Sequence, residues 1–177
     1  MVFAHDTEAA LIGVAALVNN PLPDVAALEA YFEANRWSGR LDRTEAELRS
    51  MRDLRPRLRR LWEQDEDRLV DLLNGMLREF NALPQLVKHD GWPYHLHATP
   101  QDAPFATRMA LEAAMAFVDV VRTGELSRLR ICEFPDCGNV VVYLSKNRSK
   151  RFCDAGCGNR AAVTAYRARK AAARETL

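Results

Sequence analysis

The stretch that decides the architecture reads Cys132-Glu133-Phe134-Pro135-Asp136-Cys137-Gly138-Asn139, then Val140 to Leu144, Ser145-Lys146-Asn147-Arg148-Ser149, Lys150-Arg151-Phe152 and Cys153-Asp154-Ala155-Gly156-Cys157. It holds all four cysteines of the 177-residue chain, as two short-spaced pairs fifteen residues apart. Tetrahedral zinc takes four soft thiolates, and two pairs that each deliver two sulfurs from one turn meet that demand. Disulfides would need an oxidising compartment, and Met1-Val2-Phe3-Ala4-His5-Asp6 has neither the basic stretch nor the apolar core of a secretory leader. Ferredoxin-type iron–sulfur clusters favour other spacings. Four cysteines close the coordination shell, so the spacing predicts one structural Zn2+ on Cys132, Cys137, Cys153 and Cys157, not a catalytic ion. The ion would supply the stability that a segment of about 45 residues cannot draw from apolar burial.

Around the ligands the local chemistry predicts a knuckle at Pro135-Asp136-Cys137-Gly138-Asn139, with Gly138 freeing the backbone to turn toward sulfur. A β-branched strand over Val140–Leu144 would follow, then a polar turn and a return strand at Lys150-Arg151-Phe152. Asp154 would cap a helix whose first turn carries Cys157. That order is a treble-clef-like finger.

Outward toward the C-terminus lies an alanine-rich helix from Gly158 to about Arg174. At roughly 100° per residue, Arg160, Arg167, Lys170 and Arg174 share an arc of about 80°. Val163 sits near that arc, while Ala161, Ala165, Ala168 and Ala172 gather on a separate narrow face. Lys146, Arg148, Lys150 and Arg151 add a second basic group from the hairpin. Such clusters suit phosphates, whose neutralisation releases condensed counterions. The competing reading is a solvated helix that only keeps the protein soluble. Charge favours the first: Met1–Ser127 carries 14 Lys and Arg against 20 Asp and Glu, whereas Arg128–Leu177 carries 11 against 4. An acidic body with a basic end seeks a polyanion.

Toward the N-terminus the sequence reads as helices. Thr7 would cap the first, running to Val18 before Asn19-Asn20-Pro21 stops it. Asp24 would cap a second, bearing Val25, Leu28, Tyr31 and Phe32. Thr44 with Glu47 forms a capping box for a third, burying Leu48, Met51, Leu54, Leu58, Leu61 and Trp62, with Pro56 as a kink or a break. A fourth would run from Asp65 to Phe80, and a fifth from Ala103 to Arg122, closed by Thr123-Gly124. Between these last two, Gln85–His89 and Tyr94–His97 flank Asp90-Gly91 as a β-hairpin.

His95 and His97 alternate on that hairpin, with His89 across the turn. Three histidines can form a metal or catalytic site. Without a carboxylate at defined spacing, polar residues turned outward are the expected arrangement. Trp92, Tyr94 and Phe105 could line a pocket and are expected in the core. The sequence has no phosphate-binding glycine loop, nucleophile elbow or HExxH motif, so an enzyme is not expected.

Cys157-Gly158-Asn159-Arg160 resembles the signature of the CGNR zinc finger family. Leu129-Arg130-Ile131-Cys132, Asp136-Cys137-Gly138, Ser145-Lys146-Asn147-Arg148, Arg151-Phe152-Cys153 and Ala165-Tyr166-Arg167-Ala168-Arg169 fit the same family. The front part resembles the ABATE domain, with Ala16-Leu17-Val18-Asn19 in place of its early Leu-Val-Asn-Thr stretch. The resemblance implies a stress-induced transcription regulator of a largely bacterial kind, with a DNA-binding finger and a front domain that senses a small molecule. Two departures stand out. Gly138-Asn139-Val140-Val141-Val142-Tyr143 replaces a family pattern like Gly-Trp-Leu-Phe-Xaa-Asp, and Asn20 stands where the front motif has Thr. Asn159 could bond backbone near the knuckle and Arg160 could reach Asp136 or Asp154; fold support and DNA contact both stay open for them.

The sequence thus predicts a mainly α protein, with a helical domain over 1–127 carrying one β-hairpin near 85–98 and a treble-clef-like zinc finger with a basic helix over 128–177. The expected function is cytoplasmic transcription regulation through DNA, with an effector site or a homodimer in the front domain and no membrane segment. A zinc-stabilised protein-interaction module is the alternative.

Overall fold

The computed structural model describes residues 3–89, 91–145 and 150–175. At its centre runs α5 (Phe105–Arg122), which buries Phe105, Met109, Ala110, Ala113, Ala114, Phe117 and Val120. Around it pack α1 (His5–Asn19), α3 (Glu45–Arg59) and α4 (Glu66–Glu79), while α2 (Val25–Ala34) lies against α3. Small residues at Ala110, Ala113 and Ala114 are fully buried on α5, which lets neighbouring helices approach closely. The mainly α architecture is the one the sequence predicts.

Three helix starts follow side-chain chemistry. Asp24, Thr44 and Asp65 accept the backbone N–H of Ala27, Glu47 and Arg68, satisfying donors that a first turn leaves open. Glu47 closes no reciprocal box. Its carboxylate takes the N–H groups of Asp42 and Arg43 at 2.8 and 2.9 Å. Helix α5, which follows Pro104, and α1, which begins at His5, have no side-chain cap. Thr7 lies inside the first turn of α1 and donates to Asp119 on α5 at 2.6 Å. Pro56 does not break α3, which continues to Arg59 and tightens into a 3-10 turn at Arg60–Trp62.

Strands β1 (Gln85–Val87) and β2 (His95–His97) form the expected antiparallel hairpin, with Gln85 opposite His97 and Val87 opposite His95. Asp90 of its turn lies outside the described residues. The second pair departs from expectation. Strand β4 (Val140–Val142) pairs with β3 (Leu129–Ile131), the segment just before the first cysteine, in the register Leu129 to Val142. Lys150-Arg151-Phe152 form no strand. The knuckle is thus spanned by the two strands that enter and leave it, which a strand pattern sought only after Cys137 does not reveal.

Alternation along β4 explains its unbroken apolar run. Val140, Val142 and Leu144 pack on the helical core, whereas Val141 and Tyr143 pack with the cysteines. A strand buried on both faces needs apolar residues at every position. Its Val-Val-Val-Tyr run meets that need.

Candidate metal centre and basic helix

Each short-spaced cysteine pair comes from a different kind of element. Cys132 follows β3 and Cys137 closes the knuckle, where Asp136, at φ 63, takes the left-handed position. Gly138 has no such role; its carbonyl accepts from Arg59 at 2.7 Å. Cys153 ends the loop and Cys157 opens α6 (Cys157–Glu175), with Gly156 at φ 77 providing the bend before it. The four sulfurs all lie within 4.8 Å of one another. Cys137 to Cys153 is 3.7 Å and Cys153 to Cys157 is 3.5 Å. Thiolates at the corners of a zinc tetrahedron stand about 3.8 Å apart, given Zn–S bonds of about 2.3 Å. No disulfide joins them. The donor set therefore fits one structural zinc ion.

The surroundings bring amide hydrogen-bond donors to two of the sulfurs. Cys153 accepts from the Asn139 side chain at 3.4 Å, and Cys132 accepts the N–H of Cys153 at 3.3 Å. Burial opposes ionisation of Cys153, yet the N–H of Ala155 and the Asn139 amide bring it down to about 7, while burial and the neighbouring thiols push Cys157 up to about 12. Crowded thiols cannot all ionise unless a cation sits among them.

Arg160 reaches neither carboxylate considered from sequence. Its guanidinium donates to the Cys157 sulfur at 2.8 Å and lies 4.8 Å from the Phe134 ring centroid. The sulfur beside it holds Arg160 above its ordinary range. Lys150 and Arg151 are also engaged, pairing at 2.7 Å with Asp154 and Glu133 respectively. Arg167 and Lys170 stand exposed on α6. Lys146 and Arg148 lie outside the described residues, as does the side chain of Arg174. The alanine face is not packed away: Ala161 is half-buried, but Ala165 and Ala168 are exposed, as are Val163 and Tyr166 at 47% and 59%.

Several contacts that bind finger to body were not anticipated from the sequence. Asn19 clamps the backbone of Val140, donating to its carbonyl at 2.9 Å and accepting its N–H at 2.7 Å. Trp62 donates to the carbonyl of Val141 at 3.3 Å. Arg128, 4% exposed, pairs with Glu125 at 2.7 Å and donates to the carbonyls of Tyr143 and Ser145. Only Asn19 could have been singled out, through its place in the front-domain motif.

In the helical body, a cavity of about 560 Å³ lies between α1, the end of α2, α5 and the β1–β2 hairpin, with His89, His95, His97 and Trp92 on its wall. Arg108 supports it from within, donating to the carbonyls of Ser38, Arg40 and Ala103. Gly39, at φ 84, fits this loop because a Cβ there would meet the Gln101 carbonyl at 2.5 Å. The histidines do not turn outward. Leu86 and Leu96 on the opposite hairpin face are exposed instead, at 68% and 41%. Of the three aromatic residues considered from sequence, Phe105 is core, Trp92 lines the cavity, and Tyr94 is exposed beneath Lys88.

A mainly α body joined to a four-cysteine finger that fits one zinc ion defines a zinc-finger protein. Residues 128–170 match the CGNR zinc finger, and residues 11–124 match ABATE, described as "Putative stress-induced transcription regulator". The chain belongs to the ABATE family, with a CGNR zinc finger following the ABATE region. Among curated proteins, none matches it. No helix among the described residues is long and apolar enough to cross a membrane.

Proposed function

We propose that the chain is a cytoplasmic, non-enzymatic transcription regulator whose zinc finger presents α6 to DNA, organised as a helical domain over 1–127 and a finger over 128–177. One observation carries the reading: α6 is fixed at its first turn by Cys157, while the rest of the helix stands in solvent with Arg167 and Lys170 exposed. A helix held at one end and free along its length can enter a groove. The basic arc, completed by Arg174, would engage phosphates together with Lys146 and Arg148. Lys150 and Arg151 would join only by exchanging their carboxylates for phosphates, which exposed pairs allow at small cost. Arg160 serves mainly to hold Cys157 and the knuckle. The helical domain would sense an effector in its cavity or dimerise.

A filter-binding series on random duplex tests this. Retention should fall linearly in log–log form, with a slope of about −0.9 per neutralised phosphate, and vanish when a chelator removes zinc. A flat salt response would overturn it. The exposed Val163 and Tyr166 favour the second reading, a zinc-stabilised module docking on a protein. In that case charge reversal at Arg167 and Lys170 would disrupt protein association, with DNA retention negligible throughout.

A further inference from the structure

We propose that His89, His95 and His97 form a second metal site, taking a divalent first-row transition ion in the cavity of the helical body. It stands independently of the DNA reading.

Alternation along β2 puts His95 and His97 on one face, and a turn in which the Trp92 N–H bonds the His89 carbonyl at 2.9 Å carries His89 to meet them. The Nε2 atoms form a triangle: 3.0 Å from His95 to His97, 3.2 Å from His95 to His89, and 3.2 Å from His89 to His97. The ring centroids stand further apart, at 4.7–4.9 Å, so it is the nitrogens that converge.

Hydrogen bonding cannot account for this triangle. Each Nε2 carries either one proton or one lone pair, directed along its own ring plane. Three such groups aimed at a common centre leave lone pairs or protons facing each other whatever the tautomers. A Lewis acid resolves the conflict, because it accepts all three lone pairs at once. Metal–nitrogen bonds of about 2.1 Å with angles of roughly 90–110° require nitrogens about 3.0–3.4 Å apart, which is the spacing observed.

The other ring nitrogen of His95 supports the same role. His95 Nδ1 lies 2.8 Å from the Pro93 carbonyl, a contact that places its proton there and leaves Nε2 as a lone pair. His97 Nδ1, on the side of its ring away from the triangle, lies 3.7 Å from a Glu112 carboxyl oxygen, beyond hydrogen-bond length. Neutral imidazoles suit Zn2+, Co2+, Ni2+, Cu2+ or Fe2+ in preference to Mg2+ or Ca2+. Three protein ligands also leave a coordination position open, and the triad lies on the wall of the cavity. Water or a small donor molecule can complete the shell there. The closed four-cysteine site cannot offer such a position.

Full-length protein with its finger loaded, dialysed against Zn2+ and then against metal-free buffer, tests the proposal by metal analysis. Wild type should retain two zinc ions per chain, and the double variant His95→Ala/His97→Ala should retain one. The His89→Ala variant changes only the turn and should show the same loss with the hairpin intact. Titration with Co2+ should add visible d–d absorption without further thiolate charge transfer. A single equivalent in wild type, or a second equivalent that survives in either alanine variant, would overturn the site.

Discussion

The helical body and the finger solve the same folding problem with different materials. The body has a continuous apolar core in which Leu11, Leu17, Leu28, Met51, Leu58, Leu69, Phe105 and Phe117 are fully buried or nearly so. The finger's cluster contains Cys132, Val141, Tyr143, Cys153 and Cys157, so three of its five buried members are cysteines. Burying one large side chain contributes about 1.5–3 kcal/mol, and the many in the body can offset chain entropy where the few apolar residues packed around the cysteines cannot. The metal stands in for a core. The comparison also shows where the two meet, because β4 gives one face to each cluster.

Removing the metal should break the comparison most sharply. Structural zinc in small fingers binds with about 10–16 kcal/mol, and that free energy is folding free energy. Chelation, or Cys153→Ser, should therefore unfold the residues beyond β4 while the body keeps a cooperative melt. Hydrogen exchange resolved by segment would show it, and a body that melts together with the finger would count against separate sources of stability. Within the body, Phe117→Ala should cost about 3–5 kcal/mol in denaturant titration, since Phe117 is fully buried and packs edge-on to Trp62 at 4.8 Å. Asn19→Ala probes the seam. It strips both polar partners from the Val140 backbone, and should cost roughly 1–3 kcal/mol and speed amide exchange at Val140. Unchanged exchange there would mean that the strand does not need this clamp. The smallest effect on stability belongs to Arg167→Ala/Lys170→Ala, expected within about 0.5 kcal/mol because both side chains are exposed. Its effect should appear in DNA binding instead, with a salt slope shallower by about 2. Wild-type retention in that variant would place the interface elsewhere.

The two ligand clusters differ in how far they could be read from residues alone. Cysteine is rare and costly to leave free, and each pair closes a single local turn, so its spacing carries the geometry. The histidines are three polar residues on a hairpin. Their meaning depends on which hairpin face turns inward, and a face exchange moves every side chain to the other side. The usual expectation puts leucine in and histidine out; here Leu86 and Leu96 are exposed while the imidazoles line the cavity. The same limit applies to Thr7, whose residue type suits a cap but whose hydroxyl answers Asp119, 112 positions away.

The residues themselves determined the helices, because apolar periodicity and capping act within a few positions. They determined the four sulfurs as well, because short spacing confines each pair. Tertiary packing decided that β3 rather than 150–152 pairs with β4, that Asn19 binds Val140, that Arg160 turns to the Cys157 sulfur and that three imidazoles converge. Each of these joins groups whose fit depends on the relative placement of whole elements, and local propensity carries no information about that placement.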